Sequence, residues 1–160
     1  MALTLVLAFT VNAEESMSIV KTASAHYKPL GKKGQGKVST QSGALANQPY
    51  GFNTRFEDKA GTNPEELLGS SHASCFAMAL SFGLAEAGYE HGELSVEAHV
   101  TLDKDGDGFK ITKSDLVLDA IVDNIDPDDF VAIANDAKEN CPISKVINAP
   151  ITLTHTLNKG

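Results

Sequence analysis

Cys75 and Cys141 are the two thiols of a 160-residue chain, and a thiol that ionises near neutral pH can serve as nucleophile, redox centre or metal ligand. Their spacing alone does not choose among these. Cys75 lies within Leu67 to Ala85, nineteen consecutive positions without Asp, Glu, Lys or Arg. It is about three turns into a predicted helix, so the dipole at the helix N-terminus does little to acidify it. Left alone it is an inert buried thiol, and a thiolate there needs a cation brought in from elsewhere, whose effect a low-dielectric site magnifies. Arg55 is the single arginine against twelve lysines. Arginine keeps its charge when buried and binds anions through a fixed fork, so its place in the apolar Phe52-Asn-Thr-Arg-Phe56 segment, read here as a strand, is suggestive. Cys141 precedes Pro142 at the expected end of a second helix, where an unwinding loop could move a partner thiol. The plainer alternative is two ordinary core cysteines, because free Cys often behaves as a small buried residue.

Other chemistry-bearing patterns are weaker. Asp103-Lys-Asp-Gly-Asp-Gly108 matches the first half of a calcium-binding loop, but Ser114 stands where a bidentate Glu is required and the flanks alternate like strands. A hairpin turn is the expectation. His72 and Cys75, three apart on one helix, could share a metal, yet no second clustered pair accompanies them, so a helix histidine meeting a polar neighbour is the better reading. His26, His91, His99 and His155 are scattered, and neither a glycine-rich nucleotide loop nor a serine elbow is present.

The elements that must position these groups fall in blocks. Segments 18–27, 35–40 and 50–56 read as short strands separated by Gly-, Lys- and Asn-rich turns. A helix of some 25 residues follows, capped by Thr62 or Asn63, with Pro64 at its first position, Glu65 and Glu66 complementing the dipole and Gly88 as its stop. Val96, Ala98, Val100 and Leu102 alternate with polar residues. In the next strand Phe109 and Ile111 occupy one parity and Leu116, Leu118, Ala120 and Val122 the other, which calls for a bulge between them. Asp126-Pro127 opens a second helix reaching about Asn140, residues 142–148 suit a further short helix, and Ile151, Leu153, His155 and Leu157 alternate in a final strand. The class is therefore α+β. The uncharged helix should be buried nearly all round; its Gly, Ser and His content makes it too polar for a membrane span, and a chain this size encloses it most economically by sharing a core with a second copy.

Composition supports one soluble domain, 42% hydrophobic and 21% charged. A net charge of −8 argues against nucleic acid and anionic membrane surfaces as partners. Residues 1–16 carry a short apolar run, Ala2 to Val11, without a basic residue before it, so a signal peptide, an upstream start and an added leader ahead of Met17 remain open. Residues 17–160 form the single domain.

Two longer stretches narrow the chemistry. Asn47-Gln-Pro-Tyr-Gly-Phe-Asn-Thr-Arg55-Phe56, then Gly61-Thr-Asn-Pro-Glu65-Glu-Leu-Leu-Gly-Ser-Ser-His-Ala-Ser-Cys75-Phe-Ala-Met-Ala-Leu, closely resemble the OsmC branch of the OsmC/Ohr organic hydroperoxide reductases. Cys141-Pro-Ile-Ser-Lys-Val resembles that family's second cysteine motif. The resemblance runs from about Met17 to the C-terminus. It implies an intertwined homodimer with strands wrapped around two long central helices and active sites at the interface. It also implies a cytoplasmic thiol peroxidase that uses no metal, haem or flavin. By motif position Cys75 would be the peroxidatic nucleophile, Cys141 the resolving thiol, Arg55 the activating cation and Glu65, in preference to Glu66, the carboxylate orienting it. Organic hydroperoxides would be the substrates and a dithiol, possibly on a lipoylated protein, the reductant. A stoichiometric redox sensor or binding protein, or a secreted protein with a structural disulfide, are the competing readings.

Overall fold

A computed structural model describes residues 18–158, so the expectations for residues 1–16 and for Met17 lie outside the described residues. Ten elements follow in order: β1 (Ala23–Lys28), β2 (Gln35–Thr40), β3 (Gln48–Gly51), α1 (Phe52–Phe56), α2 (Pro64–Glu86), β4 (Gly92–Asp105), β5 (Gly108–Val122), α3 (Pro127–Asn140), α4 (Pro142–Val146) and β6 (Ile151–Leu157). They build two three-stranded sheets, β1-β2-β3 and β4-β5-β6, with α1 against β3, α2 against β4 and α3 against β6. The class is α+β, as the blocks of the sequence require.

The second sheet forms the floor of the core. Ser114, Leu116, Leu118, Ala120 and Val122 share one parity of β5 and are all buried, as a half-buried strand demands. The expected bulge is present: Thr101 pairs with Lys113 and Leu102 with Ile111, leaving Thr112 as the extra residue that switches the inward parity. Asp105 pairs with Gly108 around Gly106-Asp107, so the acidic run is a hairpin turn between strands. β6 returns parallel to β5, which obliges the chain to cross over, and α3 and α4 are that crossover.

Onto this floor α2 lays His72, Phe76, Leu80 and Leu84, one helical turn apart and buried, with Gly69 closing the stripe. A Cβ on Gly69 would stand 3.1 Å from the Ala98 carbonyl oxygen, so glycine sets how near α2 approaches β4. The cap follows the sequence: Asn63 accepts a hydrogen bond from the Glu66 amide, Pro64 opens the helix, and Gly88 follows its end at φ 93°. The expectation of burial all round is corrected for the single chain. Met78 and Phe82 are 58% and 61% exposed on the opposite face. Covering what remains exposed of each is worth about 1–2 kcal/mol, a modest but directional incentive for a partner.

A second correction concerns residues 50–56. Strand β3 ends at Gly51, and Phe52–Phe56, with Arg55, is the short helix α1. The apolar spacing could not separate the two, because positions four apart share a face in a strand and also in a helix. A hydroxyl decides it: Thr54 Oγ1 accepts from the Gly51 amide (2.9 Å) and donates to the Thr62 carbonyl (2.7 Å), turning the chain out of the sheet. The first expected strand is also shorter than its segment, starting at Ala23 rather than Ser18.

Candidate active site

Arg55 and Glu65 meet because α1 is stitched to the first turn of α2. Thr62 donates its amide to the Pro49 carbonyl (2.8 Å) and forms a bridge with Tyr50, and Thr54 ties α1 to the same residue. Gly61 makes this crossing possible. Its φ is 148°, and an added Cβ would lie 2.6 Å from the Pro49 carbonyl oxygen. Gly61→Ala is therefore expected to lower the melting temperature by roughly 5 °C or more. Gly88→Ala, also at positive φ but with nothing within 4 Å of the new Cβ, should cost clearly less; equal losses in thermal melts would show that strain alone, and not the crossing, is at stake.

Across this junction Arg55 grips Glu65 with two nitrogens, Nε to Oε2 at 2.9 Å and Nη2 to Oε1. Their side chains are 31% and 12% exposed. The pairing is bidentate, the geometry in which Arg–carboxylate contacts are strongest and best oriented. Glu66 is engaged elsewhere, by the Thr62 hydroxyl. Tyr27, Tyr50, Phe52, Phe56 and Pro64 line a cavity of 220 Å³ beside Arg55. Phe56 packs in turn on Phe109 at the β4–β5 hairpin, with ring centroids 5.0 Å apart. A larger hollow of 440 Å³, bordered by His26, Lys28, Lys37 and Lys59, contains neither cysteine.

Cys75 and Cys141 come together from different elements. Cys75 is half-buried on α2; Cys141 is fully buried where α3 ends and α4 begins, its amide still bonded to Ala137 and Pro142 following at the first position of α4. Both thiols are free, and they lie near enough for each to shift the other's ionisation. Their acidities diverge. Burial pushes Cys75 up and the bond to Cys141 adds to the rise, partly offset by the Ile143 amide. Burial also raises Cys141, but hydrogen bonds from Cys75, from the amide and hydroxyl of Ser144 and from the Ile143 amide outweigh it and leave this thiol below its ordinary value. Thus, among the described residues of one chain, no cation acts on Cys75. Arg55 does not supply one: Glu65, which holds Arg55, is ten residues before Cys75 on α2, about 15 Å along the axis.

His72, expected to meet a polar neighbour, meets two. Its Nδ1 lies 2.8 Å from Ser114 Oγ and its Nε2 3.0 Å from Ser144 Oγ, all three residues being buried. Burial lowers its pKa, so the imidazole is neutral. Ser114 and Ser144 escaped the sequence reading. The signal for Ser114 was present, a hydroxyl on the parity of β5 otherwise held by Leu116, Leu118, Ala120 and Val122, since a buried polar group implies a partner.

The OsmC-like protein family matches residues 56–156. Peroxiredoxin OsmC of Escherichia coli (strain K12) is 50% identical over 141 residues, covering 88% of this chain and 99% of that protein. Organic hydroperoxide resistance protein OhrB of Bacillus subtilis (strain 168) is 32% identical over 112 residues, covering 69% of this chain and 79% of OhrB. The crystal structure of the Bacillus subtilis OhrB aligns with a TM-score of 0.61 at 28% identity, over 86% of this chain and 98% of that one. An organic hydroperoxide resistance protein from Elizabethkingia anophelis, with thiocyanate bound, aligns with a TM-score of 0.64 at 22% identity, over 90% of this chain and 100% of the other; this last likeness bears on the fold alone.

Proposed function

The chain belongs to the OsmC-like family, and from that premise we propose that it is a thiol-dependent peroxidase reducing organic hydroperoxides to alcohols, with Cys75 as peroxidatic thiol and Cys141 as resolving thiol. The observation that carries this reading is the packing of two free thiols in one core cluster, Cys75 half-exposed against the cluster that holds the fully buried Cys141. The Cys75 thiolate attacks the terminal oxygen of ROOH, the O–O bond breaks, and the alkoxide takes a proton to leave as ROH while Cys75 becomes a sulfenic acid. The Cys141 sulfur then attacks the sulfenic sulfur; an S–S bond forms, the S–O bond breaks, and the departing hydroxide takes the Cys141 proton to become water. A dithiol reduces the disulfide and is itself oxidised. A protein-borne lipoyl group has the required chemistry, and a reducing cytoplasm suits a disulfide that must cycle.

Activation of Cys75 requires a second copy of the chain. Arg55 and Glu65 of one protomer, remote from their own Cys75, would meet the partner's Cys75 in a homodimer that also covers Met78 and Phe82. The aromatic cavity beside Arg55 would then receive the organic group of the peroxide, and the guanidinium would stabilise both the thiolate and the alkoxide that develops.

The test is peroxide consumption by the purified protein with a dithiol, comparing cumene hydroperoxide with hydrogen peroxide and following both cysteines by mass spectrometry. The expected result is faster turnover of the organic peroxide through a Cys75–Cys141 disulfide. A bridge that forms once and does not cycle would replace the enzyme with a stoichiometric sensor.

A further inference from the structure

Half of the chain's seven Phe and three Tyr residues gather beside Arg55: Tyr27, Tyr50, Phe52 and Phe56 line its cavity, and Phe109 reaches them from the turn end of the β4–β5 hairpin. The two tyrosine rings lie against Gly34 and Gly36, where an added Cβ would stand 2.2 Å from Tyr27 Cε1 and from Tyr50 Cε1 respectively. Phe56 is the hub of the array. Its centroid is 4.8 Å from that of Phe52, 5.0 Å from that of Phe109 and 5.4 Å from Arg55 Cζ. Phe109 arrives there because of the bulge. From Ser114 onward the even-numbered positions of β5 face the helices. The extra residue Thr112, whose hydroxyl donates to Asp103, passes that face to the odd-numbered positions nearer the turn, so Ile111 stands opposite Leu102 and Phe109 opposite Lys104. A regular strand would turn Phe109 to the other side of the sheet. The contact does not serve the core either: Phe109 and Phe56 are 50% and 40% exposed and lie outside the core cluster. Two touching rings left this open to solvent point to a ligand.

We propose that Phe109 is a positioning residue for Phe56 and thereby a determinant of specificity: it fixes the ring that walls the cavity and flanks the Arg55 guanidinium, so that hydroperoxides bearing an aryl group are favoured over those bearing a small alkyl group. This rests on the peroxidase reading and names a substrate class within it. An aryl group meets rings already held at set angles and gains offset or edge-to-face contact with them. A tert-butyl group gains only apolar contact, which a displaced ring still provides. Without Phe109, Phe56 keeps its contact with Phe52 but loses the one that ties it to the second sheet, and its side chain must then be ordered by the substrate at the substrate's expense in affinity.

Phe109→Ala and Phe109→Leu test this in the full chain, with cumene, tert-butyl and hydrogen peroxides compared at one dithiol concentration. In Phe109→Ala, kcat/KM for cumene hydroperoxide is expected to fall about five- to tenfold through a higher KM, and that for tert-butyl hydroperoxide by about twofold at most. Hydrogen peroxide, which has no organic group to hold, should be unaffected, and kcat at saturating cumene hydroperoxide should stay within about twofold. Phe109→Leu, which keeps an apolar contact but no ring, should fall between wild type and Phe109→Ala; it decides by the same ratios if Phe109→Ala fails to fold. An equal fall for all three peroxides, or an unchanged ratio of cumene to tert-butyl hydroperoxide, would overturn the inference. Binding of the product alcohols, followed by NMR, separates it from the reading beneath it: 2-phenyl-2-propanol should bind Phe109→Ala about fivefold more weakly than wild type, and tert-butanol equally. If the wild-type protein turned over none of the peroxides, the peroxidase reading would fall. A fivefold loss of 2-phenyl-2-propanol would still support Phe109 as the residue that readies the cavity for aryl groups, and equal binding would overturn that too.

Discussion

Cys75→Ser is expected to abolish peroxide turnover, by at least about 10³-fold, whereas Cys141→Ser should complete one oxidation and then stall. A serine hydroxyl in the same half-buried place is not ionised near neutral pH and does not form the sulfur–oxygen intermediate on which the cycle depends. In Cys141→Ser the first attack is intact, but the sulfenic acid on Cys75 has lost its neighbouring thiol. Because Cys75 remains half-exposed, a second peroxide reaches it and carries it to the irreversible sulfinic acid. The two variants therefore differ in product, not only in rate. Intact-mass spectra after a stoichiometric and then an excess addition of cumene hydroperoxide check this: one oxygen on Cys141→Ser at first, two on excess, and none on Cys75→Ser. Multi-turnover activity in Cys75→Ser sinks the mechanism, and reversible cycling in Cys141→Ser would assign the resolving step to an external thiol.

What the sequence made legible follows the range of the physics involved. The caps of α2 and α3 are local: Asn63-Pro64 and Asp126-Pro127 each supply a side-chain acceptor followed by a residue that needs no hydrogen-bond partner for its nitrogen. The bulge at Thr112 was equally readable, because a change of inward parity within one strand has few other solutions. Residues 52–56 were not, since Phe52 and Phe56 share a face in either conformation and the deciding bond reaches from Thr54 to Thr62, outside any local window. The site divides in the same way. Thiols, arginine and glutamate could be picked out by type and motif, and His72 as a helix histidine with a polar neighbour. Its two partners lie 42 and 72 positions away in sequence, so their convergence exists only once α2, β5 and α4 have packed.

Arg55→Ala should reduce turnover of organic peroxides about 10²-fold or more, since the guanidinium is asked both to ionise Cys75 and to stabilise the leaving alkoxide. Its more telling result comes from mixing chains. Burial raises the Cys75 thiol and nothing in its own chain carries a guanidinium to it, while the Arg55–Glu65 pair stands about 15 Å back along α2. If the pair serves the partner's Cys75, an inactive Arg55→Ala chain and an inactive Cys75→Ser chain complement one another: the mixed dimer has one site with an intact cysteine from the first and an intact arginine from the second. With random subunit exchange half the dimers are mixed and each carries one of two sites, so activity should recover to about a quarter of wild type. A cation acting within its own chain gives no recovery, because the first chain's cysteine would lack its arginine and the second chain's arginine would face a serine. Glu65→Gln tests the same logic more gently. It removes the charge that orients the fork but not the guanidinium, so it should weaken activity less than Arg55→Ala, and mixing it with Arg55→Ala should give only the average of the two, because each Arg–Glu pair comes whole from one chain and neither is restored. Recovery in the first mixture alone would place the reacting sulfur and its activating cation on opposite sides of a subunit boundary.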